Sequence, residues 1–193
     1  MTKVFIGGSR HVSRLPTPVR GRLDRIMEKA LPVVIGDANG ADKAIQTYLS
    51  AHDYRNVEIF CAGNTARNNV GHWQLRKISS GARRGTLDFY TGKDRAMTDE
   101  ATVGLMLWDG KSAGTLMNVL RLLNQDKKVV MYVSPNKQFR ELKSLAQWDE
   151  FISTCADNDL RQKVQQRAEA EKDSLPLLPQ RGQVSRDGHG QHP

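Results

Sequence analysis

The chain has 193 residues, of which 38% are hydrophobic and 26% are charged. This composition is typical of a soluble globular domain with a short appendage. No apolar run approaches the roughly 20 residues of a membrane helix. Because no charged segment precedes a long apolar one at the start, we expect a cytoplasmic protein without a signal peptide or a membrane partner. The histidines lack the spacing of a metal site, and Cys61 and Cys155 are not expected to form a structural disulfide.

The net charge of +8 is confined to the first two-thirds of the chain. Residues 1–133 hold 20 basic and 12 acidic side chains, whereas residues 134–193 hold 9 of each. A positive field of this kind attracts polyphosphates or nucleic acid, although a merely basic surface would have the same composition. Because the basic residues are scattered and no aromatic side chains interleave them, charge alone does not favour a nucleic-acid interface.

Short apolar runs alternate with helical patterns in the first part of the chain. Strands are predicted over residues 3–6, 33–35, 57–61, 103–108 and 128–133. Helices are predicted to begin near residues 17, 41, 93 and 112, the first of them with Thr17 as its N-cap. Uninterrupted apolar strands that alternate with helices indicate a doubly wound parallel sheet, here a Rossmann-like α/β fold of about five strands. The first strand should be central, next to the point where the strand order reverses.

Three segments do not follow this alternation. Residues 63–92 have no clear period, which predicts a long functional or mobile loop. Residues 134–171 carry apolar side chains at helical spacing from Pro135 onward, which predicts a C-terminal helical extension that docks on the sheet or on a second subunit. Residues 172–193 are rich in Pro, Gly and Gln and predict a disordered tail. The core domain is therefore expected to cover residues 1–133.

Small residues follow several of the predicted strands, at the edge where parallel strands end together. Glycines there allow a ligand to approach the backbone closely, and helix N-termini offer amide groups to an anion. We therefore expect these corners to surround a single hollow that accepts phosphate and ribose. The predicted ligand-binding residues in the corners are Gly7, Gly8, Ser9, Arg10, Gly36, Asp37, Gly40, Ala41, Asp42, Trp108, Gly110, Lys111, Ser112, Gly114 and Thr115.

Some side chains in these corners have specific predicted roles. Arg10 can form paired hydrogen bonds with a phosphate or carboxylate. Ser112 should cap the following helix, with the amides of the next residues directed at an anion. Asp37 or Asp42 can accept ribose hydroxyls, although a carboxylate at Asp42 would also simply complement the helix dipole. The turn after residue 108 is neither a Walker A loop nor a dinucleotide fingerprint, so no nicotinamide or flavin cofactor is expected.

Two further groups of candidates lie outside these corners. Arg67 and Asn68 belong to the long segment after the third predicted strand. Lys93, Asp94 and Arg95 belong to a predicted helix whose N-terminus should face the same hollow. Either group can also be interpreted as an ordinary solvated surface.

The combination FIGGSR, GDANGADKA, RNN, KDRAM and WDGKSAGT resembles the SLOG superfamily of Rossmann-like nucleotide-binding proteins, above all its small YspA-like members from bacteria and phages. The superfamily includes the Lonely Guy phosphoribohydrolases and the DNA-processing protein A family, and nucleoside 2-deoxyribosyltransferases have a similar turn. The resemblance covers about residues 1–133. It implies a SLOG-type domain that binds a nucleotide or nucleotide-derived ligand, and relatives often form homo-oligomers.

The phosphoribohydrolases carry two motifs that can be compared residue by residue. Their Arg-Lys-x-x-Met stretch corresponds to residues 93–97, with Lys93 at the arginine position and Asp94 at the lysine position. In their glycine-rich turn, Asn118 stands where the family has glutamate. Asparagine cannot act as a general acid, base or nucleophile. An N-glycosidase or transferase would therefore need Asp109 or Asp94 as its catalytic carboxylate.

Three functions thus remain open from the sequence. The first is binding of a nucleotide-like ligand, for instance as a sensor, with Asn118 among the contacts. The second is cleavage or transfer at an N-glycosidic bond. The third is nucleic-acid binding, as in the DNA-processing protein A family. The lack of a complete catalytic set favours the first.

Overall fold

A computed structural model describes residues 1–79, 81, 83 and 86–174, apart from the side chains of residue 87 and residues 172–174. Its strands are β1 (Val4–Gly8), β2 (Val33–Gly36), β3 (Val57–Ala62), β4 (Gln74–Ile78), β5 (Val103–Trp108), β6 (Lys128–Val133) and β7 (Gln138–Leu142). They form one sheet in the order β4-β3-β2-β1-β5-β6-β7. All neighbouring pairs are parallel except β6 and β7, which are antiparallel.

Helices cover both faces of this sheet. They are α1 (Thr17–Glu28), α2 (Ala41–Ala51), α3 (Leu87–Glu100), α4 (Ala113–Leu123), α5 (Leu145–Cys155) and α6 (Asn158–Ser174). Because side chains alternate along a strand, Ile6 packs in the apolar layer with α1 and α2, whereas Phe5 packs in the layer with α3 and α4. The protein is a Rossmann-like α/β fold, and β1 lies centrally between β2 and β5 as predicted.

Two of the strands lie where the sequence predicts other structure. β4 lies inside the segment predicted as a loop, and β7 lies inside the segment predicted to be helical from Pro135. Both are edge strands with mostly exposed or half-buried side chains, so neither carries the continuous apolar run of a central strand. The predicted domain boundary at residue 133 falls between β6 and β7, which pair in the sheet. The helical part of the C-terminal region begins at Leu145.

Two helix starts also differ from the predictions. The helix expected to open at Lys93 begins at Leu87, where the Thr86 hydroxyl accepts a hydrogen bond from the Phe89 amide at 3.3 Å. The segment 93–97 is therefore the middle of α3, and no helix N-terminus lies there. Thr17 was expected to cap α1, but Pro16 occupies that position and forms no side-chain cap.

The remaining expectations concern the membrane, the cysteines and the tail. Among the described residues, no helix is long and apolar enough to cross a membrane. Cys61 is buried, Cys155 is partly buried, and both are free thiols. The predicted tail from residue 175 onward lies outside the described residues, whereas residues 172–174 belong to α6.

Candidate functional site

Two adjoining cavities open at the carboxyl ends of β1 and β5, where the strand order reverses. The outer cavity has a volume of about 490 Å³, and the inner cavity has a volume of about 90 Å³. They share the lining residues Arg10, Tyr90, Asp94, Ser112 and Gly114. Open parallel sheets bind their ligands at this position.

The structure brings most of the predicted site residues to the walls of these cavities. Those that line one or both are Gly7, Gly8, Ser9, Arg10, Asp42, Arg67, Lys93, Asp94, Asp109, Lys111, Ser112, Gly114, Thr115 and Asn118. The corners at Gly7 and Gly114 meet at the inner cavity. The corner at Gly36 lies just behind it, because a Cβ atom there would overlap the Asp42 carboxylate and stand 2.8 Å from Lys93 Nζ.

Several predicted ligand-binding residues do not line either cavity and instead support the corners. Gly40 has a φ of 81°, and a side chain there would overlap the backbone of Arg10. The Ala41 amide donates to the Ser9 carbonyl at 3.0 Å. The Asn68 side-chain amide donates to the Asp37 carbonyl at 2.8 Å. These residues shape the site without facing it.

Three other predicted ligand-binding residues also line neither cavity. Trp108 is only 1% exposed and packs edge-on against Phe151 of α5, with ring centroids 5.5 Å apart. It belongs to the core, because its position in β5 directs it to the sheet face that α4 and α5 cover. Arg95 lines a separate groove between α3 and the C-terminal helices. Gly110 lies in the turn before α4, with a φ of 87°.

Asp109 holds the β1 and β5 corners together. Its Oδ2 accepts a hydrogen bond from the Ser9 hydroxyl at 2.6 Å, and its Oδ1 accepts from the amides of Lys111 at 3.0 Å and Ser112 at 2.8 Å. Burial alone would raise the pKa of Asp109, but these donors hold it below its ordinary value. The carboxylate is therefore ionised at neutral pH and already engaged, which does not suit a proton donor.

The N-terminus of α4 opens into the outer cavity. The Ser112 hydroxyl accepts a hydrogen bond from the Thr115 amide at 3.3 Å, which confirms the predicted cap. The Thr115 amide is consequently not available to an anion, contrary to the prediction. Within the described residues, the amides of Ala113 and Gly114 have no hydrogen-bond partner, and both residues line the outer cavity.

A largely buried ionic cluster forms part of the wall of the inner cavity. Arg67 donates to both oxygens of Asp37, with Nη2–Oδ1 at 2.6 Å and Nε–Oδ2 at 3.1 Å. Lys93 Nζ lies 3.0 Å from Asp94 Oδ1 and 4.0 Å from Asp37 Oδ1. Burial would lower the pKa of Lys93, but Asp94, Asp42 and Asp37 raise it, so the ammonium stays charged. Burial would raise the pKa of Asp37, but its hydrogen bonds from Arg67 lower it.

Residues absent from the sequence predictions complete the site. Tyr90 lines both cavities, and the guanidinium carbons of Arg10 and Arg67 lie 5.7 Å and 4.8 Å from its ring centroid. α6 contributes Arg167 and Glu171 to the outer wall. The sequence carries no signal for these two, because a polar helix remote in the chain reaches the site only through tertiary packing.

A metal centre finds no support in this geometry. Among the described residues, no group of three or more His, Cys, Asp or Glu side chains could hold a metal ion. The groups that the site offers are amides, guanidinium and ammonium cations, carboxylates and an aromatic ring. These groups bind phosphates, hydroxyls and planar rings.

The strand order and the position of the cavities define a Rossmann-like α/β protein. The fold is similar to that of DNA processing protein A from Helicobacter pylori, a structure described for its single-stranded DNA binding mode. The TM-score is 0.52 at 14% identity, with 88% of this chain and 81% of that chain covered. At this identity the likeness concerns the fold alone. No protein-family model and no curated protein matches the chain.

Proposed function

We propose that the chain binds a nucleotide or nucleotide-derived ligand in the outer and inner cavities, as a binding or sensing module. The observation that carries this proposal is the N-terminus of α4, where the amides of Ala113 and Gly114 border a cavity of about 490 Å³. A helix N-terminus carries partial positive charge and donors that suit a phosphate. The sequence resemblance to the SLOG superfamily supports the same assignment, and membership of that superfamily is part of the proposal.

The charges on the outer wall also favour an anionic ligand. Arg10, Lys111 and Arg167 line the outer cavity, and none of them forms an ion pair with a carboxylate among the described residues. By contrast, two of the three carboxylates on the same wall are paired with cations, Glu171 with Arg121 and Asp94 with Lys93, and the third, Asp109, is outnumbered by these three cations. The uncompensated charge of this wall is therefore positive.

A thermal-shift screen tests the proposal. The full chain is heated with nucleoside monophosphates and diphosphates, NAD and ADP-ribose, and a bound ligand at about 100 times its Kd should stabilise the fold by about 2.7 kcal/mol. Arg10→Gln should weaken binding roughly tenfold, because a charged hydrogen bond to phosphate is lost. Arg14→Gln is the matched control, since Arg14 is exposed nearby in the chain and does not line either cavity. If no ligand in the screen stabilises the protein, the proposal is wrong.

Single-stranded nucleic acid is a second candidate ligand. The fold neighbour, DNA processing protein A, is described for its single-stranded DNA binding mode, and the excess positive charge of this chain lies in residues 1–133. Arg10 and Arg67 beside Tyr90 would suit a strand, because single-stranded nucleic acid binds to cations interleaved with aromatic rings. Binding of an oligonucleotide that falls steeply with salt, without any response to mononucleotides, would favour this candidate.

Measuring released base with the same set of ligands distinguishes enzymatic turnover from binding. An N-glycosidase or transferase would release free base, and stabilisation of the developing sugar cation needs an ionised carboxylate nearby. Asp109 and Asp94 remain the proposed carboxylates for that alternative. Base release that disappears in Asp109→Asn and Asp94→Asn, with binding retained, would support an enzyme, whereas binding without release supports a sensor.

A further inference from the structure

A buried carboxylate, one oxygen of which accepts no hydrogen bond from the described residues, borders the inner cavity. Asp42, in the first turn of α2, is 7% exposed and lines the cavity together with Gly7 and Gly8. Its Oδ2 accepts a hydrogen bond from the Ala38 amide at 3.1 Å. Its Oδ1 has no hydrogen-bond partner among the residues that the structure describes, and this oxygen is not fully buried.

The other two carboxylates beside the inner cavity form ion pairs with cationic side chains. Asp37 directly follows β2 and is 2% exposed, and Arg67 donates hydrogen bonds to both of its oxygens. It does not line either cavity. Asp94 lines both cavities, but Lys93 lies 3.0 Å from its Oδ1. Of the two aspartates that the sequence leaves open for a sugar, Asp42 is the one that can reach a ligand.

We propose that the inner cavity receives the sugar hydroxyls of a ribonucleotide, with Asp42 Oδ1 as their acceptor, while the phosphates remain in the outer cavity. This inference rests on the proposed nucleotide-binding function. A hydroxyl donates a hydrogen bond to a carboxylate, whereas the oxygens of an ionised phosphate only accept hydrogen bonds and so have none to give to Asp42 Oδ1. The protein therefore distinguishes a ribonucleotide from a deoxyribonucleotide and from a DNA strand.

The sizes of the two cavities agree with this orientation. The inner cavity, at about 90 Å³, is much smaller than the outer cavity and suits the hydroxyl edge of a sugar better than a base. The outer cavity has the size of a small-molecule site and carries the unpaired cations and helix amides. Tyr90 lines both cavities, so it can contact the ligand at the junction.

The protonation of Asp42 offers an independent check. Burial raises the pKa of Asp42 to about 6, so the carboxylate is mostly ionised at neutral pH and takes up a proton in mildly acidic solution. The charged groups that surround it are Lys93 and Asp94 from α3, Asp37 after β2, Arg67 after β3 and Arg10 after β1. A proton on Asp42 weakens it as an acceptor of hydroxyl hydrogen bonds.

The experiment compares matched ligands on the full chain. The Kd values of the four common ribonucleoside diphosphates and their 2′-deoxy and 3′-deoxy counterparts are measured by calorimetry at about pH 7.5. Loss of a hydroxyl that binds a carboxylate should weaken binding about tenfold or more. In Asp42→Asn the ribonucleotide preference should shrink to less than about threefold, because the acceptor has lost its charge. Asp53→Asn is the control, since that aspartate is exposed just after α2 and should leave the preference unchanged.

The outcomes separate this inference from the proposed function. If ribonucleotides and deoxynucleotides bind the wild-type protein equally well, or deoxynucleotides bind better, the assignment of the inner cavity to sugar hydroxyls is wrong and nucleotide binding stands. If none of these nucleotides binds and ADP-ribose also fails, the proposed function itself fails.

A second measurement does not depend on the folding of Asp42→Asn. In the wild-type protein, the ratio of ribonucleotide to deoxynucleotide affinity should decrease as the pH falls through about 6. The ratio cancels the titration of the phosphates themselves, which also lies near this pH. A ratio that stays constant between about pH 7.5 and about pH 5 would rule out Asp42 as the acceptor.

Discussion

The corner after β2 and the corner after β5 look alike in sequence but present opposite charges. Both connect a buried parallel strand to a helix through glycine and other small residues. The first turn of α2 contains Asp42, whereas that of α4 contains no acidic residue. The N-terminus of α4 therefore leaves amides and nearby cations available to an anion, whereas the Asp42 carboxylate complements the positive end of the α2 dipole. The same small-residue pattern thus predicts where a ligand approaches the sheet, but not which chemical group it presents there.

The largest expected effect comes from breaking the ionic cluster of the β2 corner. Asp37→Ala should lower the free energy of unfolding by about 3 kcal/mol, because Arg67 and Lys93 lose the carboxylate that compensates their charge. Urea denaturation of the full chain measures this change. Asp53→Asn, at an exposed site whose φ of 51° asparagine also tolerates, should change stability by less than about 0.5 kcal/mol. Similar values for both variants would show that the cluster does not stabilise the corner.

The glycines of the two corners provide the next comparison. Gly36→Ala should destabilise the protein by about 1–3 kcal/mol, because its Cβ atom would displace the buried Asp42 carboxylate and Lys93 ammonium. Gly114→Ala should be neutral or slightly stabilising, since its Cβ atom would meet only Ser112 Oγ at 3.9 Å. Thermal unfolding of both variants tests the contrast. Equal losses at the two positions would contradict the packing described for the corners.

Replacing Asp42 should stabilise the protein in a pH-dependent way, whereas replacing Asp37 or Gly36 destabilises it. Its pKa is about 6 in the folded protein and 3.8 as the ordinary value, so the folded state binds more protons between these pH values. The Asp42 contribution therefore destabilises the fold above about pH 6 and is relieved as the pH falls. Asp42→Asn should be more stable than wild type by about 1–2 kcal/mol at pH 7.5, with the difference lost near pH 4. Urea denaturation at several pH values measures it, and a pH-independent difference would contradict the assignment.

The smallest expected effect concerns the cap of α4. Ser112→Ala removes the hydroxyl that accepts from the Thr115 amide and should cost about 1 kcal/mol of stability. Ser112→Thr keeps an acceptor at the same position and should recover most of the loss. Thermal unfolding measures both variants. No difference between alanine and threonine would mean that the cap does not stabilise the β5 corner.

The amino-acid sequence by itself determined the central part of the fold. β1, β2, β3, β5 and β6 were predictable because strands buried on both faces must be continuously apolar. The cap at Ser112 was predictable because a serine hydroxyl can accept a hydrogen bond from an amide in the first turn of a helix. The position of Gly7, Gly8 and Gly114 at one site was predictable from the parallel sheet. Parallel strands end at a common edge, so the residues that follow them lie together.

Only the tertiary structure decided the rest. β4 and β7 lie at the edges of the sheet, where few side chains are buried and no apolar run marks a strand. Asp37 and Asp42 are five positions apart, yet Arg67 engages one and leaves an oxygen of the other facing a cavity. Arg167 joins the outer wall only because α6 packs beside α4. Pairing of charges and the approach of a remote helix depend on distances through space, and local sequence does not encode those distances.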